Sequence, residues 1–266
     1  MDKDTKHCIS ISEKPGKFGV YFHNKGYDIL GLNYVYFPLK VKANQLKGIL
    51  GLIKDNFQGC SVSKPHKIKV IDYLDELDPS AEKIGAVNTI LNKNEKLIGY
   101  NTDYNGARRA ILNNYNISEK KVLMLGAGGA ARAIGYAVKD IGGKLIISNR
   151  DPEKAKGLAK KLDAEFLKWE SRNDFCKGSL LINATSVGFD NPENIPLAEK
   201  SLEEYNAVMD VVVGDTNLIQ KAKEMGKITI PGIEITVYQA AKQFEIYTGK
   251  KLPQGFINRI LLENEK

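Results

Sequence analysis

Lys120–Arg150 reads KKVLMLGAGGAARAIGYAVKDIGGKLIISNR, a run of residues from which the fold class follows. Val122 to Leu125 is apolar throughout, as expected of a parallel strand buried on both faces. Gly126, Gly128 and Ala131 then occupy the three marked positions of G-x-G-x-x-G/A, with Ala127, Gly129 and Ala130 between them. The first glycine permits a tight turn from strand to helix, the second lets backbone approach a pyrophosphate, and the small third residue lets helix and strand pack closely. Free N–H groups at the helix start can then bind phosphate. Ala130, Ile134, Ala137 and Ile141 recur at helical spacing, Gly142 and Gly143 stop the helix, and Lys144 to Ser148 read as the next strand. The segment predicts one βαβ unit holding a dinucleotide.

A chain of 266 residues can bury a large core and is long for one compact domain, so two domains are expected. Hydrophobic content of 42% and charged content of 27% are those of a soluble globular protein. The formal charge of +7 favours anionic partners, which a phosphorylated cofactor and a carboxylate substrate satisfy. The basic residues are scattered and lack a block interleaved with aromatics, which argues against nucleic acid. Cys8, Cys60 and Cys176 form no CxxC pair, so a reducing compartment and no structural zinc are expected. His7, His23 and His66 lack ligand-like spacing, so no metal is expected. The N-terminus is polar and no stretch has the length of a membrane span, so a cytoplasmic protein without membrane attachment is expected.

Upstream of the glycine turn the pattern is also α/β. Val20 to Leu30 reads as a helix ended by Gly31, and NYVYFPLKV as a strand. From about Ala43, Leu46, Ile49, Leu50, Ile53 and Phe57 make one apolar helix face. Cys60 to Ser63 reads as a buried strand ended by Pro65, and Val70, Ile71 and Leu74 predict a helix after it. NTILNKNEKLIGYNTD predicts two strands around a turn from Asn92 to Glu95. Lys67 lies just past the first of these strand ends and Asp103 just past the strand Leu97 to Tyr100, the usual place for functional groups in open α/β sheets. If the two strands are neighbours, an ammonium and a carboxylate meet at one sheet edge, a pair able to relay an alcohol's proton. Solvated surface charges are the plain alternative.

Taken together, SVSKPHK, DELDPSAEKIGAVNTI, GYNTDYNG, GAGGAARA, SNR, INATSVG and GIEITVYQAAKQFEIYTG resemble the shikimate dehydrogenase family, in order and over most of the chain. The resemblance implies NADP-dependent reduction of 3-dehydroshikimate to shikimate, on the route to chorismate and the aromatic amino acids. It implies a substrate domain from residues 1–101 and 237–266, and a Rossmann dinucleotide-binding domain from 102–236. It makes Lys67 the catalytic lysine and Asp103 its partner carboxylate, and gives Ser63, Asn88 and Gln239 the substrate's ring hydroxyls. The family's SxSPxxHN pattern is absent before His23-Asn24: Lys17 and Gly19 stand where its serines would fall. Either Ser10 and Ser12 replace them through a local shift, or Lys17 meets the substrate carboxylate as a point charge. This segment is similar to the branch known as shikimate dehydrogenase-like proteins. A quinate-type dehydrogenase using NAD(P) and a low-turnover regulatory homologue are therefore the alternatives, as monomer or homodimer.

In the cofactor half, Arg150 falls about twenty residues past the glycine turn, where a base would bind the extra phosphate of NADP. Asn149 and Lys154 flank it and favour NADP over NAD, whereas Asp151 opposes it. In the family the loop after SLLIN lines the nicotinamide end, which puts Thr185 and Ser186 there with Asn183 behind them. Val213 and Gly214 replace the family's common YNP, and Gly232 opens the last motif. The helix that follows carries Val237, Ala240, Ala241 and Phe244 at core spacing, and the tail repeats the pattern with Phe256, Ile257, Ile260 and Leu261.

Overall fold

A computed structural model describes residues 2–175 and 178–263, so Cys176 lies outside the described residues. The chain divides into two compact units, Met1–Thr102 with Gln239–Asn258, and Asp103–Tyr238 with Arg259–Lys266.

In the first unit the elements run β1 (Lys6–Ser12), α1 (Phe18–Ile29), β2 (Tyr34–Lys40), α2 (Leu46–Asn56), β3 (Gly59–Val62), β4 (Glu76–Leu77), α3 (Pro79–Ile84), β5 (Thr89–Lys93) and β6 (Lys96–Tyr100). The strands form one sheet in the order β2-β1-β3-β5-β6-β4. β1, β2 and β3 are parallel, and β5 is antiparallel to both β3 and β6. β3 and β6 are thus not bonded neighbours. They run parallel on either side of β5, so the segments after Val62 and after Tyr100 leave the same sheet edge as the start of β5.

Apolar burial explains these elements. β3 is buried along its whole length, and Ile9, Ile11, Leu50, Ile53, Val62 and Ile90 share one core cluster. On the other face Tyr27, Tyr36, Phe244 and Tyr247 form a second, aromatic cluster around Cys8. A side chain at Gly59 is excluded because the Tyr247 ring lies against that position.

Two local expectations need correction. Val70, Ile71 and Leu74 do not share an α-helix: Lys69–Tyr73 is 3-10, and Leu74 is extended with φ −98° and ψ 149°. The hairpin turn is tighter than Asn92 to Glu95, because Lys93 still pairs with Lys96. Only Asn94 and Glu95 make the turn, at φ 52° and 61°. A two-residue hairpin of this hand needs both residues left-handed, which suits the right-handed strand twist.

The second unit continues with α4 (Thr102–Asn114), which starts at the last residue of the first unit's leading segment, then β7 (Lys121–Leu125), α5 (Gly129–Asp140), β8 (Lys144–Ser148), α6 (Pro152–Leu162), β9 (Glu165–Phe166), β10 (Leu180–Asn183), β11 (Ala207–Asp210), α7 (Asn217–Glu224) and β12 (Ile228–Ile230). These strands are all parallel in the order β12-β11-β10-β7-β8-β9. The order reverses at β7, so the crevice at the carboxyl ends of β7 and β10 is the switch point where such sheets bind ligands. β10 and β11 are buried throughout, matching apolar runs that end in Asn183 and Asp210. α8 (Gly232–Thr248) and α9 (Gln254–Glu263) follow, each crossing from one contact-defined unit to the other along the chain.

Glu95 carries a side chain in a conformation that costs an L-residue roughly 1–2 kcal/mol, against about 0.5–1 kcal/mol for glycine's extra freedom when unfolded. The conformational term wins, so Glu95→Gly is expected to stabilise the protein by about 0.5–1 kcal/mol in urea unfolding. Destabilisation would show that the turn is not held left-handed in solution.

Candidate active site

The carboxyl-terminal edge of the first sheet collects the polar residues singled out by the sequence. Ser12 ends β1, 5% exposed, and its carbonyl accepts from the Val41 N–H at 2.8 Å. Ser10 is half-buried and its hydroxyl bonds that of Tyr36, while Lys17 is exposed at the N-cap of α1. Ser63 follows β3, exposed, with its N–H donating to the Ile11 carbonyl at 3.0 Å. Lys64–Pro65 is a cis bond, and His66 is buried with Nε2 2.9 Å from the Val41 carbonyl, so its ring braces the loop. Lys67, half-buried, is held by its own carbonyl, which accepts the Val87 N–H at 2.7 Å.

Asn88, immediately before β5 and 2% exposed, is the hub of this edge. Its Oδ1 accepts the Thr102 N–H at 2.7 Å and the Thr89 hydroxyl at 2.8 Å. Its Nδ2 donates to the Thr102 hydroxyl at 2.9 Å and to Gln239 Oε1 at 3.3 Å. Asp103 is the residue after Thr102, in the first turn of α4. Three residues that the sequence motifs do not single out complete the cluster: Thr89, Ser61 and Gln243. Gln243 stands one helical turn after Gln239 on α8, and that spacing is the signal from which it could be found.

In the second unit, the glycine turn has the geometry its glycines require. Gly126 has φ +121°, and a Cβ there would come within 2.7 Å of the Ala184 carbonyl oxygen. Gly128 is the N-cap of α5, with open space where a Cβ would be and no side chain capping the helix. Ala131 is fully buried, while Ala127, Gly129 and Ala130 line the half-exposed rim. Uncapped helix N–H groups beside an open glycine backbone fit a pyrophosphate.

Beyond β8, Arg150 is exposed and the Asn149 side-chain amide donates to the Asp151 carbonyl at 3.0 Å. Asp151 is the N-cap of α6, accepting the N–H groups of Glu153 and Lys154, and pairs with the Lys154 ammonium at 3.1 Å. The bonds from Lys154, through its N–H and its ammonium, hold the Asp151 carboxyl below the ordinary range, with a smaller share from Glu153. Its charge thus caps the helix end and is paired with the Lys154 ammonium.

The loop after β10 is organised from below by Asp210, a fully buried carboxylate that no sequence motif marks. Asp210 accepts from Asn183 Nδ2 at 2.9 Å, the Val212 N–H at 3.0 Å and the Thr216 hydroxyl at 2.7 Å. Asn183 in turn accepts from the Thr185 hydroxyl at 2.6 Å, and Thr185 accepts the Val187 N–H at 3.1 Å. Thr185 therefore shapes the loop, while Ser186 and Val213 are exposed. Gly232 lies against the Val212 carbonyl, leaving no room for a side chain.

The fold and these groups define an α/β oxidoreductase-type protein with a Rossmann sheet and a separate polar ligand edge. A family model described as the shikimate dehydrogenase substrate binding domain matches residues 19–90. An NADP(+) shikimate dehydrogenase of Bacillus cereus is 38% identical over 239 residues, 85% of this chain and 86% of that protein. A shikimate 5-dehydrogenase-like protein of known structure superposes with TM-score 0.88 at 32% identity, over 100% of both chains. The Thermus thermophilus shikimate 5-dehydrogenase, solved in complex with NADP(H) and shikimate, has TM-score 0.87 at 28% identity, covering 98% of this chain and 99% of its own. The chain belongs to the shikimate dehydrogenase family.

Burial raises the Asp210 carboxyl to about 6, against the opposing bonds from Val212, Thr216 and Asn183. An acid whose folded value is raised favours the folded state below its unfolded value near 4 and loses that contribution as pH rises through about 6. Stability to urea should thus fall between about pH 4 and 7 by up to ~3 kcal/mol from this group. Asp210→Asn should abolish that slope, since the Thr216 hydroxyl can turn to accept from the new amide; an unchanged slope would reject the assignment.

Proposed function

We propose that this chain catalyses the reversible NADP-dependent reduction of 3-dehydroshikimate to shikimate, in the cytoplasm, as a step toward chorismate and the aromatic amino acids. The observation that carries the reading is the buried amide cluster of Asn88, Thr102 and Gln239 at the sheet edge that also bears Lys67. It supplies oriented donors and acceptors suited to a polyhydroxylated ring. Family membership and the relatives' named activity support it.

Ser63, Asn88 and Gln239 bind the ring hydroxyls, and left unpaired by a substrate lacking them they would discriminate strongly. Ser10, Ser12 and Lys17 are assigned to the carboxylate, with Lys17 supplying the positive charge among the three. Lys67 gives the carbonyl oxygen its proton on reduction and takes it back on oxidation, and Asp103 is assigned as its carboxylate partner. The N–H groups at Gly128 and Gly129 receive the pyrophosphate, and Ala127, Ala130 and Ala131 keep side-chain bulk away from it. Asn149, Arg150 and Lys154 hold the extra phosphate of NADP. Thr185, Ser186, Val213 and Gly232 border the nicotinamide end. When bound, the nicotinamide supplies or accepts the hydride. The protein works as a monomer or homodimer.

Lys67→Met is expected to lower kcat with shikimate by ~10²–10⁴ while the Kd for NADPH stays within about twofold. Equal losses in both would contradict a proton-transfer role. Arg150→Ala should raise the KM for NADP+ roughly tenfold or more and leave that for NAD+ unchanged. A parallel rise in both would place Arg150 outside the phosphate site.

A further inference from the structure

We infer that Gln243, acting through Thr89, is a positioning residue that, together with the Thr102 N–H, holds the end of the Asn88 and Gln239 amides that faces the substrate; the inference rests on the function proposed above. A carboxamide can be turned end for end with little change in shape, and its usefulness to a ligand depends on which end is presented. At Asn88 the choice is forced. The Thr102 backbone N–H can only donate, and it lies 2.7 Å from Asn88 Oδ1.

The Thr89 hydroxyl also donates to that oxygen, at 2.8 Å. It can do so reliably only if its lone pairs are occupied by another donor, and Gln243 Nε2 is that donor at 3.0 Å. The same Nε2 donates to the Asn88 backbone carbonyl at 3.2 Å. Gln243 is itself 4% exposed and oriented from behind, because its Oε1 accepts from the Ser61 hydroxyl at 3.1 Å. Ser61 can give its proton to Gln243 because its oxygen accepts from the Tyr36 hydroxyl at 2.7 Å and has the Tyr247 hydroxyl at 3.0 Å. His23 is stacked among the same aromatic rings, and burial holds its pKa well below the ordinary range against a smaller opposing contribution from Gln243.

The donors therefore point one way, from Tyr36 through Ser61, Gln243 and Thr89 to Asn88. With its oxygen committed, Asn88 turns Nδ2 toward Gln239 Oε1, 3.3 Å away. The Thr102 hydroxyl reaches the same Oε1 at 3.3 Å. Gln239 is thereby fixed with its acceptor end toward Asn88 and its amide nitrogen turned away from it. Apolar residues at 61, 89 and 243 would fill the same space and leave this orientation to the Thr102 N–H alone.

The test is steady-state kinetics with shikimate and NADP+ on the full chain, comparing wild type, Gln243→Met, Thr89→Val, Asn88→Ala and the two doubles with Asn88→Ala. Thr89→Val removes only the hydroxyl at constant shape, so it carries the test if Gln243→Met does not fold. Each single positioning variant should raise the KM for shikimate roughly tenfold, with the KM for NADP+ within about twofold. In the Asn88→Ala background each should add less than about twofold, because the amide they orient is gone. An unchanged KM for shikimate in a folded Thr89→Val protein, equal loss for both substrates, or additive losses in the doubles would overturn the inference while leaving the proposed function standing. Absence of wild-type turnover would instead overturn the proposed function and this inference with it.

Discussion

A buried carboxamide with both ends committed holds the polar edge of the first unit's sheet together. Asn88 accepts from the backbone N–H of Thr102 and the hydroxyl of Thr89, and donates to Thr102 and Gln239. It thus ties the start of β5, the entry to α4 and the middle of α8 to one point. Leaving any one of these buried groups unmatched costs ~1–3 kcal/mol, comparable to a sizeable share of a domain's net stability. The entry to α4, which carries Asp103, and the middle of α8, which carries Gln239, both lie beside it. Geometry needed for chemistry and geometry needed for burial are therefore one requirement here.

The second unit solves a different problem by removing side chains rather than pairing them. Gly126 turns the chain at φ +121° against the Ala184 carbonyl, and Gly128 leaves α5 uncapped with open space before it. The neighbouring loop is kept in place by the Asp210 carboxylate, whose burial is offset by the donors Asn183, Val212 and Thr216. One unit presents oriented side-chain amides suited to hydroxyls; the other presents bare backbone suited to phosphates. Those two chemistries are what an oxidoreductase acting on a polyol acid needs.

Much of this was legible in the sequence because the physics was local. Val122–Leu125 and the glycine spacing announce a strand and a tight turn, and α6 begins at Pro152 because proline suits a first helical position after an Asp cap. The 3-10 turn at Lys69–Tyr73 was not legible, since Val70, Ile71 and Leu74 have the same spacing in an α-helix, and only the tertiary pull on Leu74 decides. α3 had a readable signal in Asp78-Pro79 with Gly85 at φ 69°, but its six residues carry too little periodicity to stand out. Lys67, Asn88 and Gln239 were visible through motifs. Ser61, Thr89 and Gln243 lie inside the same motifs and Asp210 outside them, but none of their roles was legible, because a buried polar residue looks like an interruption until its partners, up to 186 residues away, are known. That Asp151 caps α6 and pairs with Lys154 was likewise seen only in the structure.

In the proposed reaction the hydride goes directly to the ring carbonyl of 3-dehydroshikimate. The most direct measurement is reduction with NADPH stereospecifically deuterated at C4 of the nicotinamide, each face in turn, followed by mass and NMR analysis of the product. The expected product is shikimate carrying one deuterium on the new carbinol carbon from one labelled face and none from the other. Shikimate without deuterium from either face, or no product at all, would contradict it.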